Sequence, residues 1–142
     1  MGEISSITLL VGLPGSGKST IGQQMAESNN ALFIDDISLL IKSDAPEYIA
    51  NRANELGKKH IIISDVNFCI DKIRNTAISQ LELAFNMRVN VIFFENSPDK
   101  CLKNIERRIS LGDKRKVKNL VKMLADEYKI PKDSLPLQIY SN

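Results

Sequence analysis

The chain of 142 residues has little of what several classes of protein require. It has no tryptophan and a single histidine, and its two cysteines, Cys69 and Cys101, are far apart and form no C-x-x-C pair. The sequence therefore predicts neither a zinc site nor a disulfide framework, and we expect two reduced, partly buried thiols. The histidine, His60, begins an apolar run, which indicates a structural role.

Membrane and secretory patterns are also missing. No apolar run approaches the roughly 20 residues of a membrane span, and the first residues, MGEISSITLL, have no basic segment ahead of the apolar one. Such a start is not typical of a secretory signal, so we expect a cytoplasmic protein without a membrane partner. A hydrophobic share of 43% and a charged share of 25% are ordinary for a globular protein, and residues 1–142 are expected to form one domain.

Short apolar runs alternate with helical patterns along the chain. The predicted strands are residues 7–11, 31–34, 61–64, 89–94 and 137–140. Apolar residues keep helical spacing over 70–84 and again over 117–128, and Ser97, Pro98 and Asp99 supply an N-cap, a first-turn proline and an acid that open another helix. Nearly continuous apolar strands separated by helices indicate a parallel sheet of about five strands in a three-layer α/β fold.

The stretch LLVGLPGSGKST at residues 9–20 carries a complete phosphate-binding motif. Gly12, Gly17, Lys18 and Ser19 match the pattern G-x-x-x-x-G-K-[ST] between a predicted strand and a predicted helix, which is the context that the motif requires. Its glycines let main-chain N–H groups approach phosphate oxygens at a helix N-terminus, whose dipole favours negative charge. The sequence therefore predicts the fold of a P-loop NTPase or kinase, with ATP and Mg²⁺ as cofactors.

The positions of this loop have expected roles in holding the nucleotide. Lys18 is expected to bridge the β- and γ-phosphates, and the Ser19 hydroxyl is expected to bind Mg²⁺. The guanine-reading N-K-x-D and the D-x-x-G signature of GTPases are missing, which favours a compact phosphotransferase. The residues expected to line the nucleotide are Gly12, Leu13, Pro14, Gly15, Ser16, Gly17, Lys18, Ser19 and Thr20.

Acidic residues follow two of the predicted strands. Asp35 and Asp36 end the second strand, at the edge of the sheet that faces the γ-phosphate, and at least one of them is expected to accept the proton of an attacking hydroxyl. The third strand ends in SDVN, which contains Asp65 and Asn67. Asp65 is expected beside Ser19, where it could hold Mg²⁺ through water or orient the acceptor. The alternative is an acid that only caps a turn.

Positive charge is concentrated in one C-terminal segment. Residues 1–99 contain 8 lysines and arginines and 12 acids, whereas residues 100–132 contain 11 and 4. Within this segment, ERRISLGDKRK is predicted to form a lid at about residues 107–116 that closes over ATP and excludes water. Arg107, Arg108 and Arg115 are its candidate ligands for phosphate oxygens, because a guanidinium fork matches them. The alternatives are a solvated helix face and a surface for a polyanionic substrate.

Together, GLPGSGKST, FIDDI, IIISDVN and ERRISLGDKRK resemble the kinase domain of phage-type 5′-hydroxyl polynucleotide kinases, over about residues 4–128. That family belongs to a larger group of P-loop kinases that includes zeta toxins and small-metabolite kinases. The resemblance implies that Asp35 is the general base and that Asp36 caps or orients. It implies that Asp65 and Asn67 of SDVN contact the substrate. It also implies catalytic roles for Lys18 and for one lid arginine, which corresponds best to Arg108.

Departures from that family concern the acceptor. Ser38 stands where an arginine usually holds the acceptor, and Ile34 replaces a residue that is often basic. The D-x-D-x-T phosphatase signature of bifunctional members is also missing. The predicted function is ATP-dependent transfer of the γ-phosphate to a hydroxyl of a polynucleotide, either a 5′ end or a hydroxymethylated base. The alternatives are a kinase of a nucleoside, nucleotide or metabolite and, from another class, a non-catalytic ATP-binding module.

Overall fold

A computed structural model of the chain describes residues 4–35, 45–108 and 114–139. The strands are β1 (Ser6–Val11), β2 (Ala31–Ile34), β3 (His60–Ser64) and β4 (Asn90–Phe93). The helices are α1 (Lys18–Asn29), α2 (Ala45–Glu55), α3 (Asp71–Phe85), α4 (Pro98–Glu106) and α5 (Lys114–Glu127), and a 3₁₀ helix covers Val66–Cys69. Strands and helices alternate from β1 to α4, which confirms the predicted α/β class.

The four strands are parallel and lie in the order β2-β3-β1-β4. In the pairing of β1 with β3, Leu10 lies opposite Ser64, and in the pairing of β1 with β4, Val11 lies opposite Phe93. The carboxyl ends of these strands are therefore level with one another. The chain leaves β1 towards one side of the sheet and returns across β1 after β3, so the crevice beyond the end of β1 is the place where such a sheet binds ligands.

The sheet separates two groups of buried apolar side chains, as the alternation of side chains along a strand requires. Leu10 of β1 belongs to the smaller group, against which Ile21 and Met25 of α1 pack. Leu9 and Val11 belong to the larger group, to which α2, α3, α4 and α5 contribute. The layers are α1, the sheet and the remaining helices, which confirms the predicted three-layer architecture.

Residues 137–139 of the fifth predicted strand, which are the part of it that the structure describes, form a single bridge, between Phe94 and Leu137. The Leu137 N–H donates to the Phe93 carbonyl and the Leu137 carbonyl accepts from the Glu95 N–H, both at 2.8 Å. The next donor, the Ile139 N–H, binds the Glu95 carboxylate at 3.0 Å instead of a main-chain carbonyl. Because a side chain takes this hydrogen bond, the ladder stops, and the described residues form a sheet of four strands rather than about five.

Other predicted features are shifted by a few residues or differ in detail. α1 begins at Lys18, directly after Gly17, which has a left-handed φ of 92°. Ser97 is the N-cap of α4 and Pro98 lies in its first turn, but the Ser97 side chain makes no capping hydrogen bond. No bounds were predicted for α2, and the pattern over 117–128 corresponds to α5, which ends at Glu127.

The single histidine of the chain links two strands of the sheet. The His60 ring has the expected structural role, since a hydrogen bond of 2.7 Å between its Nδ1 and the Ser6 Oγ links β3 with β1. Among the helices within the described ranges, none combines the length and the apolar character needed to cross a membrane.

A buried tyrosine joins the end of α5 to the sheet. Tyr128 is 3% exposed, and its hydroxyl donates to the Phe94 carbonyl, with the Val11 carbonyl a second acceptor 3.1 Å away. Burial raises the pKa of Tyr128 above its ordinary value of 10.0, so the hydroxyl keeps its proton. Because Val11 directly precedes the phosphate-binding motif, this contact fixes the point at which that loop leaves the sheet.

Replacing Tyr128 with Phe is expected to lower the free energy of unfolding at neutral pH by about 1–3 kcal/mol, because two buried carbonyls lose their donor. A tyrosine whose pKa is raised by folding stabilises the protein below its ordinary pKa, and this contribution is lost as the pH rises above that value. The difference between wild type and Tyr128→Phe should therefore shrink at about pH 11 in denaturant titrations. Tyr48→Phe, at a tyrosine that is 51% exposed, is the control, and equal losses in both variants would contradict the prediction.

Candidate active site

The phosphate-binding motif folds as a tight turn between β1 and α1. The Ser16 N–H donates to the Leu13 carbonyl at 3.1 Å, so Pro14 and Gly15 form the corner of the turn. Proline followed by a residue with positive φ is typical of a type II turn, and the φ of Gly15 is 82°. The sequence of the loop thus specifies its local conformation.

The turn rests on α4. A Cβ atom at Gly15 would lie 2.6 Å from the Cys101 carbonyl oxygen and 3.0 Å from Cγ1 of Ile105, so a larger residue has no space there. Asn104, which is 3% exposed, donates from Nδ2 to the Gly15 carbonyl at 3.0 Å. Sequence analysis missed Asn104. A polar residue between the apolar positions 101, 102 and 105 of the predicted helix was the available signal.

The Lys18 side chain folds back onto the loop. It is 6% exposed, and its Nζ donates to the Leu13 carbonyl at 3.0 Å and to the Ser16 Oγ at 3.4 Å. Burial lowers the pKa of Lys18, because it disfavours the charged form, and the negative charge of Asp35 acts in the opposite direction. The ammonium group therefore lies where phosphate oxygens are expected and already has main-chain and hydroxyl partners.

Two buried thiols lie near this lysine. Cys69 and Cys101 are both free, as their spacing predicted, but they are fully buried rather than partly buried. Burial raises the pKa of Cys69 to about 12 and that of Cys101 to about 11, so both thiols are neutral at physiological pH. The negative charge that acts on Lys18 therefore comes from Asp35 and Asp65.

Asp35, directly after β2, is held by two serines. Its Oδ2 accepts from the Ser19 Oγ at 2.6 Å, and its Oδ1 accepts from the Ser64 Oγ at 2.7 Å. Ser64 is the fully buried last residue of β3, and sequence analysis gave it no role, although its place in SDVN was visible. The carboxylate keeps lone pairs for a proton or a cation after accepting these two hydrogen bonds.

Asp65, the acid that follows β3, caps a turn. The Asp65 Oδ1 accepts from the Asn67 N–H at 2.8 Å and so caps the 3₁₀ helix, which is the turn-capping arrangement that the sequence left open. Asp65 is also close enough to Lys18 for its negative charge to oppose the lowering of the Lys18 pKa by burial. Substrate or magnesium contacts of Asp65 and Asn67 stay predictions, and Asp36 lies outside the described residues.

A buried arginine that sequence analysis missed supports this 3₁₀ helix. Arg74 of α3 is 6% exposed and donates from Nη1 to the Phe68 carbonyl at 2.8 Å and from Nη2 to Asp71 Oδ1 at 2.6 Å. Its guanidinium carbon lies 5.2 Å from the centroid of the Phe93 ring, within the range of a cation–π contact. These contacts fix the segment after β3 against α3 and β4.

A cavity of about 270 Å³, which we call the loop cavity, opens over the phosphate-binding turn. The charged and hydroxyl groups on its wall are Lys18, Ser19, Asp35 and Arg108. Apolar residues of the 3₁₀ helix and α5 close another side, namely Val66, Val117 and Leu120. The structure thus brings the predicted catalytic residues Lys18, Asp35 and Arg108 to one cavity.

A second cavity of about 270 Å³, which we call the α1 cavity, lies along the first turns of α1. Its lining residues are Ser16, Gly17, Thr20, Ile21, Gln24, Phe94, Arg108 and Gln138. Gly17 and Arg108 line both cavities, so these two residues mark the boundary between them. Gln24 and Gln138 were not predicted as site residues, because nothing local in the sequence relates the last residues of the chain to α1.

The two arginines that follow α4 line different surfaces, because a helical turn rotates by about 100° per residue and Arg107 continues it with helical φ and ψ. Arg108 follows Asn104 by four positions and lies on the side of the helix that meets the loop. Arg107 lines a groove of about 550 Å³ between α4 and α5, the α4–α5 groove, together with Leu102, Lys103, Glu106, Lys118 and Lys122. Arg115 is exposed and lines none of these cavities, and residues 109–113 of the predicted lid lie outside the described ranges.

The oxygen atoms of the loop cavity fit magnesium that is bound together with a nucleotide. Among the described residues, no group of three or more His, Cys, Asp or Glu side chains could hold a metal by itself. Mg²⁺ usually keeps several waters and binds one or two protein oxygens and substrate phosphates. The Ser19 hydroxyl donates a hydrogen bond to Asp35 and keeps lone pairs for the ion.

The placement of the two arginines gives a matched pair of variants. Arg108→Ala is expected to weaken the binding of Mg-ATP by about tenfold or more, because a charge-assisted contact contributes about 1.5–3 kcal/mol. Arg107→Ala removes the same charge from the other side of α4 and should change the Kd by less than about threefold. Titration with a fluorescent ATP analogue measures both. A larger effect at Arg107 than at Arg108 would show that the assignment of the two faces is wrong.

Two solved structures share this architecture over most of their length. A gluconokinase from Sinorhizobium meliloti 1021 superposes with a TM-score of 0.63 at 15% identity, over 99% of this chain and 86% of that one. The protein APE1195 superposes with a TM-score of 0.58 at 18% identity, over 97% and 86%. No family model and no curated protein matches the sequence. At such identities a likeness establishes the fold alone, and the chain has the α/β fold of P-loop kinases.

Proposed function

We propose that the chain, as a single kinase domain over residues 1–142, transfers the γ-phosphate of ATP to a hydroxyl of a small molecule. The observation that carries this proposal is the carboxylate of Asp35, which two serines hold at the wall of the loop cavity. One of these serines is the expected magnesium ligand. A carboxylate so close to the transferring phosphate can accept the proton of the attacking hydroxyl and orient it for in-line attack.

Binding of the triphosphate requires an exchange of partners at Lys18. Its Nζ is engaged by the Leu13 carbonyl and the Ser16 Oγ, and phosphate oxygens would replace these two acceptors. Loop N–H groups and the N-terminus of α1 add positive potential at the same place. Bound Mg²⁺ supplies neutralisation of the charge on the β- and γ-phosphates. The guanidinium of Arg108 would stabilise the charge that develops on the transferred group.

The two cavities favour one direction for the nucleotide. The loop cavity contains the acid and the lysine, so the γ-phosphate and the acceptor belong there. The α1 cavity adjoins it at Gly17 and Arg108 and is lined by Thr20, Ile21 and Gln24 of α1, so its mixed polar and apolar wall suits the nucleoside. An ATP molecule that spans the boundary would contact the loop along its triphosphate.

The dimensions of the loop cavity favour a small acceptor. A volume of about 270 Å³ holds a metabolite-sized molecule, and the apolar wall of Val66, Val117 and Leu120 suits carbon atoms of such a molecule. The neighbour from Sinorhizobium meliloti is named as a gluconokinase, and this chain covers 86% of it. Both points favour the small-molecule alternative over the polynucleotide function that the motifs predicted.

A panel of acceptors tests the proposal. With Mg-ATP, we expect phosphate transfer to at least one nucleoside, nucleotide, sugar or sugar acid, and slower or no transfer to oligonucleotides with a free 5′ hydroxyl. Asp35→Asn should lower kcat by about 10²–10⁴-fold, the usual range for general base catalysis, while the Kd for ATP changes little. Ser64→Ala is the matched variant that keeps the acid but removes one of its donors, and it should lower kcat less.

Two results would contradict this proposal. Transfer to no acceptor at all, with intact ATP binding, would favour the non-catalytic ATP-binding module. Unchanged kcat in a folded Asp35→Asn variant would remove Asp35 from the mechanism.

A polynucleotide acceptor is the second candidate, and the α4–α5 groove favours it. Lys103, Arg107 and Lys122 line this groove, and no acid among the described residues pairs with their side chains. Glu106, the acid in the groove, is already paired with Lys118. The groove therefore has an excess of positive charge that suits a phosphate backbone.

Salt dependence distinguishes the two candidates. If the acceptor is a polynucleotide, its KM should rise steeply with salt, because phosphate contacts release counterions. Lys103→Ala and Lys122→Ala should each reduce the slope of log KM against log salt by about 1, whereas Lys72→Ala, on the exposed side of α3, should leave it unchanged. A flat KM in all variants would exclude the groove as a surface for the acceptor.

A further inference from the structure

We infer that Asn104 is a positioning residue, which sets the conformation of the phosphate-binding loop from the side that faces away from the ligand. The inference rests on the proposed binding of a nucleotide by this loop. Asn104 is nine-tenths or more buried, and its Nδ2 donates to the Gly15 carbonyl at 3.0 Å, although 89 positions separate the two residues. Neither the motif nor the proposed chemistry requires an asparagine on α4.

The loop needs such a partner because of the residue at its corner. Only glycine fits at position 15, since a Cβ atom would meet the Cys101 carbonyl oxygen at 2.6 Å. Glycine, however, populates positive and negative φ about equally and does not by itself select one orientation of the peptide unit that follows it. The close approach to α4 therefore leaves the Gly15–Ser16 peptide unit without any restraint from its own side chain.

Hydrogen bonds at both ends supply the missing restraint. The peptide unit is planar, so its carbonyl and its N–H point in opposite directions. The carbonyl of Gly15 binds Asn104, and the N–H of Ser16 binds the Leu13 carbonyl at 3.1 Å. A flipped unit would bring the Gly15 oxygen towards the Leu13 oxygen and lose both hydrogen bonds. Asn104 thus selects the orientation in which the Leu13 carbonyl also accepts from Lys18.

The same helix face carries the arginine of the loop cavity. Asn104 and Arg108 are four positions apart, so they lie on one side of α4 and its C-terminal continuation. A helix that is fixed to the loop through Asn104 holds the backbone of Arg108 at a constant distance from the phosphates. The geometry points to Asn104 as the link between the two halves of the phosphate site.

The test measures ATP binding without turnover, so it needs no knowledge of the acceptor. Asn104→Leu keeps the branching and the number of heavy atoms of the side chain, although its methyl groups are bulkier, and it removes the donor. The Kd for Mg-ATP should rise about tenfold, the effect expected for one buried hydrogen bond. Leu81→Ala, at a buried residue of α3, controls for lost stability, since it should lower the melting temperature without changing the Kd. An Asn104→Leu variant that binds ATP within about twofold of wild type would overturn the inference.

A second variant covers the case in which Asn104→Leu does not fold. Asn104→Asp has nearly the same shape, but its ionised carboxylate repels the Gly15 carbonyl oxygen, whereas its protonated form can donate to it. The ratio of its Kd for Mg-ATP to that of wild type should therefore be high at about pH 8.5 and should fall towards 1 at about pH 5.5, because burial raises the pKa of a carboxyl group. A residue with a purely structural role would give no such recovery, so a ratio that is constant with pH would also overturn the inference.

Lys18→Ala separates failure of this inference from failure of the proposed function. If Lys18→Ala weakens ATP binding and the Asn104 variants do not, the loop binds the nucleotide without help from α4, and the inference alone is wrong. If Lys18→Ala also leaves the Kd unchanged, the loop does not bind ATP, and both the function and the inference are wrong.

Discussion

The register of the parallel sheet is the constraint on which the site depends. Ile34 lies opposite Ile63, so the residues that follow them, Asp35 and Ser64, are neighbours at the end of their strands. Ser64 is in turn opposite Leu10, which places the start of the phosphate-binding loop beside the same carboxylate. A slip of one residue in either pairing would send the Ser64 hydroxyl to the other face of the sheet. The buried isoleucines of β3, which cannot face water, therefore fix the chemistry at its end.

Local patterns predicted the loop, the four strands and most helices, because these depend on neighbours in sequence. The contacts that complete the site do not. Asn104 reaches Gly15 across 89 positions, and Ser64 reaches Asp35 across 29. The number of strands was overestimated for a similar reason. The apolar pattern of the last segment could not reveal that the Glu95 carboxylate accepts the hydrogen bond of a main-chain N–H, that of Ile139. Which of two adjacent arginines reaches the site depends on the rotational phase of α4, and that phase is set by its packing.

α4 and its neighbour α5 divide the positive charge of the C-terminal segment between two surfaces. One side of α4 is apolar apart from Asn104 and packs on the loop, and Arg108, two residues beyond the end of this helix, brings charge to the loop cavity. The other side carries Lys103 and Arg107, and with Lys122 of α5 it forms a cationic groove outside the loop cavity. The net charge of a segment thus says little about a site, because the helical period distributes neighbouring charges over surfaces with different environments.

The burial of Lys18 sets folding stability against ligand affinity at a single position. Its ammonium group is removed from water when the chain folds, and in the absence of ligand a carbonyl, a hydroxyl and a nearby carboxylate compensate this loss only in part. The unfavourable free energy of desolvation therefore lowers the stability of the folded protein and is not part of the free energy of binding. A triphosphate that enters the loop meets a cation already stripped of its hydration shell. The complex gains affinity because the desolvation of this ammonium group has already occurred in the free protein. Selection for a more stable ligand-free fold would therefore act against this lysine.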